Sequence, residues 1–393
     1  MRAKPLAGIR VLDLTRLLPG AMCTLHLGDM GAEVLKIEDP WQGDYARTLG
    51  ASKKTMSPRF VLTNRNKRSL KVDLKQARGR ELFLKLAQTA AVIVESFRPG
   101  VVDTLGIGYD AVRALNSRIV YCSISGYGQT GPYRGRAGHD IDYCAVAGIT
   151  DQIGPRGRAP VVPNFQIADL AGGTLPAVMG ILAALVDVHR SGVGRYVDVS
   201  MTDCALAHAV VALGAQIEHG ATRPRGEDLL SGELPCYGIY ETGDGRYIAL
   251  GALEKKFWRV FCEELERPDL AARHWVSGEE AAAVRAEVAA IFRANSQSYW
   301  VNRFADIDCC VAPVLTLAES LANEQLRARE MFIVAEHPTA GAVPQFAFPL
   351  KFSEFTFTID RPAPAHGEHS KEILAELGYS DAKIAELEEA GII

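Results

Sequence analysis

Along the first half of the chain, short β-branched runs alternate with amphipathic ones. Residues 9–14 read as a strand, 21–30 as a helix, 33–37 as a strand, 77–88 as a helix, and 91–95 and 118–125 as further strands. Strands and helices alternating at this spacing predict parallel pairing through right-handed crossovers, hence a Rossmann-like layered sheet. Residues 174–190 keep a helical pattern with almost no charge before Asp187, which predicts a helix buried on most of its surface. The run RSGVGRYVDVSMTD (190–203) then reads as turn, strand, turn.

The pattern breaks at 218–233, where EHGATRPRGEDLLSGE mixes charge, glycine and proline without either period, as linkers do. Beyond it, strands at 237–240 and 247–250 flank Thr242-Gly243-Asp244-Gly245-Arg246, a hairpin signal with glycine at the turn. Helical patterns follow at 257–264 and 279–293, then DIDCCVAPVLTLAES, and a final helix at 368–377. The expected fold class is therefore α/β: a large Rossmann-like domain over 1–217, a linker at 218–234, and a smaller α+β domain over 235–334. No internal repeat or low-complexity tract is visible.

Composition narrows the class. At 393 residues the chain exceeds what one core usually supports, and 48% hydrophobic with 23% charged residues is the balance of an ordinary globular protein. A net charge of −4 provides no global field for nucleic acid or an anionic membrane, so neither is an expected partner. The N-terminal stretch MRAKPLAGIRVLDL lacks an apolar region of signal-peptide length, no run has transmembrane length, and the end Gly391-Ile392-Ile393 is no peroxisomal address. A cytoplasmic location is expected. The eight cysteines, at 23, 122, 144, 204, 236, 262, 309 and 310, include no CxxC pair and read as reduced core residues. With no HExxH helix and no ligand spacing among the nine histidines, no metal is expected.

Three acid/base groups stand in unusual settings. His139 and Asp140 sit side by side in GHDIDY (138–143), a glycine-flanked turn before an apolar segment. Asp169 lies between the apolar stretch PVVPNFQIA and the small-residue run Ala171-Gly172-Gly173-Thr174, and Glu254 directly follows YIALGAL. A carboxylate among apolar residues costs free energy unless paired, bonded or protonated, so such placements are enriched where a pKa is tuned for chemistry. The bland alternatives are helix caps at Asp140 and Asp169 and a first-turn glutamate at Glu254. A helix starting at Asp140 would also aim free amides at an oxyanion, with His139 beside it as a proton carrier.

Two further patterns need weighing. Gly126-Tyr127-Gly128-Gln129-Thr130-Gly131 fits GxGxxG after a strand, but its continuation Pro132-Tyr133-Arg134-Gly135-Arg136 is a poor helix start and lies late in the domain, against a dinucleotide site. A second partial match at 106–111 follows no strand. Basic residues gather near strand ends: Lys36, the run Asn64-Arg65-Asn66-Lys67-Arg68-Ser69, and Arg98 in ESFRPG. Ligands of open parallel sheets bind beyond the carboxyl ends of strands, so Lys36 and Arg98 are candidates to face one anion together, against solvated charged loops as the alternative.

The set RVLDLTRLLPGAMCTLHLGDMGAEVLKIE, NRNKRSLKVDLK, ESFRPGVVDTLGIGYD, SISGYGQTGP, AGHDIDY, ADLAGG and APVLTLAE resembles the family III CoA-transferases, the CaiB/BaiF group, over essentially the whole chain. That resemblance implies a large Rossmann-like domain completed by the C-terminal tail (335–393), a small domain, and a homodimer whose subunits interlock like links. The family includes coenzyme A transferases and α-methylacyl-CoA racemases. The chain is most similar to the racemase branch, with His139, Asp140, Asp169 and Glu254 at the matching positions. By the same carry-over, Lys36, Arg65, Arg68 and Arg98 contact coenzyme A, and the Asp140 amide binds the thioester oxygen.

Inverting a carbon next to a thioester requires removing a proton on one face and returning one on the other, with the enolate stabilised between. The resemblance casts His139, held by Glu254, on one face and Asp169, its pKa raised by desolvation, on the other. The thioester supplies the acidity, so no cofactor beyond the coenzyme A of the substrate is expected. In the alternative, intermolecular CoA transfer, Asp169 attacks the thioester to form a mixed anhydride. A non-enzymatic CoA-binding protein ranks third. The chain departs from the racemases at Lys255-Lys256, where they carry Pro-Gln, and at Ile37-Glu38-Asp39-Pro40, where relatives often place an arginine. Both leave room for a charged or polar acyl group.

Overall fold

Six strands lie side by side in the order β3-β2-β1-β4-β5-β6, every neighbouring pair parallel. They are β1 (Arg10–Asp13), β2 (Glu33–Glu38), β3 (Lys67–Lys71), β4 (Val92–Glu95), β5 (Val120–Ser125) and β6 (Arg195–Ser200). The structure, a computed structural model, describes residues 4–50 and 56–393; Met1, Arg2 and Ala3, which open the stretch read for export, lie outside the described residues. The central strands are buried on both faces, as parallel strands covered by crossover helices must be. The strand order reverses between β1 and β4, and beyond the carboxyl ends of those two strands lies the crevice where folds of this topology bind ligands.

The connecting helices are α1 (Leu17–Asp29), α2 (Pro58–Asn64), α3 (Ala77–Ala87), α4 (Val101–Thr104), α5 (Tyr109–Leu115), α6 (Asp140–Val146), α7 (Leu175–Ser191) and α8 (Met201–Ala207). A seven-residue π-helical turn, Ala168–Thr174, leads directly into α7. Together they run from Ala168 to Ser191, 24 residues of which 44% of the most apolar window is buried. Two helices of the C-terminal tail, Ser370–Glu376 and Asp381–Glu389, place Ile373, Leu374, Ile384 and Leu387 in the same core as Leu12, Leu35, Leu70 and Phe83.

The chain divides into two units: Met1–Ala147 with Asn164–His208 and Gln325–Ile393, and Gly148–Pro163 with Ala209–Glu324. The second unit is built on an antiparallel sheet of β7 (Tyr237–Glu241), β8 (Tyr247–Gly251) and β9 (Val311–Pro313), with helices Lys255–Glu264 and Gly278–Arg293 over an aromatic core of Trp258, Phe261, Phe292, Trp300 and Phe304. The two buried indoles donate to the carbonyls of Leu270 and Phe292, each at 2.8 Å. The division falls at 208/209 rather than 217/218, and the run read as a linker is anchored within the second unit. Arg225 within it donates to the Asp151 carbonyl at 2.6 Å and the Arg158 carbonyl at 2.9 Å, fastening 148–163 to this unit.

Candidate active site

After β5 the chain crosses the end of the sheet in an irregular loop, and the next helix begins only at Asp140. The GxGxxG run at 126–131 therefore opens no helix. Its first glycine serves packing instead, because a Cβ on Gly126 would lie 2.2 Å from Cε1 of Tyr143 and the bare backbone makes room for that ring. The Tyr143 hydroxyl donates to the carbonyl of Gly138, folding the turn back onto α6. His139 is the N-cap residue of α6, exposed, with its backbone N–H donating to Oδ2 of Asp142 at 2.9 Å. The backbone N–H of Asp140, first in the helix, makes no hydrogen bond among the described residues.

Asp140 uses its side chain to hold the second carboxylate. Its Oδ1 accepts a 3.0 Å hydrogen bond from the backbone N–H of Asp169, in the first turn of the π-helical segment. A π turn inserts one residue relative to an α-helix and is concentrated at functional sites. Here it brings the backbone close to α8: a Cβ on Gly172 would sit 2.4 Å from the carbonyl oxygen of Met201. The small residues after Asp169 are thus required by a close approach of two backbones.

Burial pushes the Asp169 carboxyl up to about 6, the Asp140 charge pushes in the same direction, and His139 pulls it back. Burial likewise raises the Tyr143 phenol to about 12, helped by Asp169 and opposed by Arg98. His139, Asp140, Asp169, Tyr143 and Arg98 therefore sense one another within one unit. Glu254 belongs to the other unit, exposed at the N-cap of Lys255–Glu264, and its carboxylate has no hydrogen-bond or ion-pair partner among the described residues. Lys255 and Lys256 beside it are exposed. A cavity of about 1410 Å³ is confined to this second unit, lined by Arg156, Ile239, Ala281 and Cys310 among others, and holds none of the candidate residues.

Three of the four cations expected to meet coenzyme A are committed elsewhere. Lys36 is fully buried, with Nζ 2.9 Å from Oδ2 of Asp44 and 3.0 Å from the Thr15 carbonyl; burial works against its charge, but Asp13, Asp44 and Glu38 outweigh it. Arg65 grips both carboxylate oxygens of Asp29 at 3.1 and 2.6 Å. Arg68 is bonded by Glu33, Glu372 and Glu376 at 2.8 to 3.0 Å. These charges hold the sheet together, and two of their partners lie some 300 residues downstream, beyond any local pattern. Arg98 alone of the four is exposed.

The crevice has a further cation, which lies in the run RVLDLTRLLPG but is not among the cations expected from it, and which pairs with Asp39 at 3.4 Å. Arg16 follows β1 and stacks its guanidinium over Tyr45 at 5.0 Å and Phe97 at 5.5 Å, while its backbone N–H donates to Ser96 Oγ at 3.2 Å. Its one signal is its position, directly after the strand at LDLT. Glu95 reads in the sequence only as a strand end, yet it is 2% exposed and its carboxyl is pushed by burial up to about 7. Six of the eight free cysteines are buried; Cys310 departs from the core reading and is exposed.

A model of CoA-transferase family III matches residues 6–370. The chain belongs to CoA-transferase family III. It is 32% identical over 388 residues to the α-methylacyl-CoA racemase of Homo sapiens, covering 99% of this chain and 97% of that protein. It is also 33% identical over 397 residues to the succinyl-CoA:glutarate CoA-transferase of Homo sapiens, covering 99% of this chain and 90% of that protein. Among solved structures, a CaiB/BaiF family protein from Brucella suis is similar with a TM-score of 0.83 and 29% identity, over 96% of this chain and 100% of that one. A protein of Mycobacterium tuberculosis gives a TM-score of 0.80 and 29% identity, over 94% of this chain and 99% of that one.

Proposed function

We propose that this chain acts on acyl-CoA thioesters and inverts the α-carbon of 2-methylacyl-CoA by 1,1-proton transfer through an enolate. The observation that carries this reading is a half-buried Asp169 carboxyl, raised to about 6, within electrostatic reach of His139. Inversion needs two proton carriers at one carbon, and a carboxyl raised toward neutrality exchanges protons more effectively than an ordinary aspartate. Asp169 serves one face and His139 the other. The free amide of Asp140, at the positive end of α6, faces the thioester oxygen as negative charge develops there. Arg16 and Arg98, beyond the carboxyl ends of β1 and β4, take the anionic part of coenzyme A. Exchange of the α-proton with solvent deuterium tests this reading; no exchange with any 2-methyl-branched thioester contradicts it.

A second reading draws on the equal likeness to the succinyl-CoA:glutarate CoA-transferase. Asp169 then attacks the thioester, giving a mixed anhydride and coenzyme A thiolate; the thiolate attacks the aspartyl carbonyl and releases the donor acid. The acceptor carboxylate attacks the resulting aspartyl-CoA thioester, and the thiolate it frees takes the acceptor's acyl carbon, giving the new thioester and returning Asp169. Incubation of one acyl-CoA with a free acid and hydroxylamine distinguishes the two, since transfer yields a new thioester and a hydroxamate at Asp169.

We propose further that two copies pair. Leu175, Met179 and Val186 line one face of α7 and are 58 to 67% exposed, and Val210, Leu213 and Ile217 of helix Val210–His219 are 57 to 77% exposed. Apolar helix stripes of this kind usually mark a surface covered by a partner. A monomer by light scattering would contradict the pairing.

A further inference from the structure

Glu95 closes β4 at the reversal of strand order, buried and without an ion pair among the described residues. Its Oε2 accepts a 2.8 Å hydrogen bond from the backbone N–H of Phe97, and Ser123 on β5 bonds to the same carboxyl. Ser123 Oγ in turn accepts from the Tyr196 hydroxyl at 3.0 Å, so the carboxyl ends a chain that crosses three strands. The turn it holds is Ser96-Phe97-Arg98. Ser96 accepts from the Arg16 amide, Phe97 lies under the Arg16 guanidinium, and Arg98 is the exposed cation that acts on Tyr143.

We propose that Glu95 is a positioning residue for the coenzyme A site, holding the turn that presents Phe97 and Arg98 and coupling thioester affinity to its own ionisation. The proposal rests on the acyl-CoA reading above. The groups facing Glu95 are Asp103 on α4, Asp198 and Tyr196 on β6, and Tyr121, Cys122 and Ser123 on β5. The charged ones among them are carboxylates, so an ionised Glu95 adds a third negative charge beside a crevice that must take phosphates. Burial dominates the bonds from Ser123 and Phe97 and pushes the carboxyl up to about 7, so both forms are populated near neutrality. The protonated form favours anion binding, and affinity is lost as pH rises through that value.

The test is the dissociation constant of coenzyme A itself, measured by calorimetry from about pH 6 to about pH 8 for the wild-type protein and Glu95→Gln. Glutamine keeps the acceptor for Phe97 and cannot ionise. Wild-type affinity should fall roughly fivefold across this range beyond what Glu95→Gln shows, and the variant should bind at the low-pH strength throughout. Comparing the two cancels titration of the ligand phosphates. Ser123→Ala removes a bond that favours the ionised form, so it should move the wild-type inflection to higher pH; this arm stands even if Glu95→Gln does not fold. Superimposable wild-type and Glu95→Gln profiles, or an inflection unmoved by Ser123→Ala, would overturn the proposal while leaving the acyl-CoA reading intact. A wild-type protein that binds no coenzyme A at any pH overturns both.

Discussion

The carboxylate of Asp140 accepts a 3.0 Å hydrogen bond from the backbone N–H of Asp169, so the first residue of one helix fixes the first turn of another. The same contact sets two carboxylates close together, and the charge of Asp140 adds to burial in raising the Asp169 carboxyl to about 6. Position and acidity are thus set by one neighbour.

Asp140→Asn keeps an acceptor for the Asp169 amide but removes the charge. The Asp169 carboxyl should then ionise at lower pH, and the acidic limb of the pH-rate profile should move to lower pH with it. The check is α-proton exchange measured against pH for both proteins; an acidic limb left in place would show that Asp140 does not tune Asp169.

Arg65 and Arg98 should separate cleanly. Arg65→Ala leaves Asp29 buried and unpaired, a loss of about 3–5 kcal/mol that thermal unfolding should read, with little change in the KM of the folded protein. Arg98→Ala, at an exposed site, should leave the melting temperature nearly unchanged and raise KM for acyl-CoA about tenfold, the loss of one charge-assisted bond to phosphate. A reversed pattern would restore the expected coenzyme A role of Arg65.

Gly172→Ala places a methyl group 2.4 Å from the backbone oxygen of Met201. Neither backbone can yield without moving the π turn, so the variant should lose about 1–3 kcal/mol and much of its activity. Unfolding in urea, followed beside catalytic assays, checks both.

Two buried carboxylates make the fold sensitive to acid. Asp13 is held at about 2 although burial opposes its charge, because Lys67, Lys36 and the hydroxyls of Thr15 and Thr24 outweigh it; Glu38 is held at about 2 by Arg47, Lys36 and Ser69 against the same burial. Their folded values lie below the ordinary 3.8 and 4.5, so the stability they contribute is present above those values and lost as pH falls through about 2. Glu95 acts in the opposite sense: its raised value means a contribution present below 4.5 and lost as pH rises through about 7. Melting temperature against pH should show both limbs, the upper one reduced in Glu95→Gln to the part that Asp169, raised from 3.8 to about 6, still contributes.

The sheet was legible because its strands are short apolar runs separated by helices of the right period, and the acid/base turn because a histidine and an aspartate stand side by side after a glycine. The buried basic strand was not. Lys67 to Lys71 reads as a solvated charged loop until Asp13 and Glu376 supply partners, the latter 308 residues away from Arg68. Lys36 became a ligand candidate from its place after a strand, and Arg65 and Arg68 from the family resemblance, because neither signal shows the carboxylates that hold them. The π turn was hidden too: Ala171-Gly172-Gly173 announces close packing but not the extra residue per turn. Arg225 anchors a linker-like run through bonds to carbonyls that carry no sequence signal.

The central claim is that His139 and Asp169 act on one α-carbon, and its most direct test is deuterium incorporation into a single enantiomer of a 2-methylacyl-CoA in heavy water. The wild-type protein should exchange the α-proton and lose optical purity, and His139→Ala and Asp169→Asn should each slow this by about 100-fold or more. Exchange at the wild-type rate in His139→Ala, or none in the wild type across varied 2-methyl-branched acyl chains, would contradict the account.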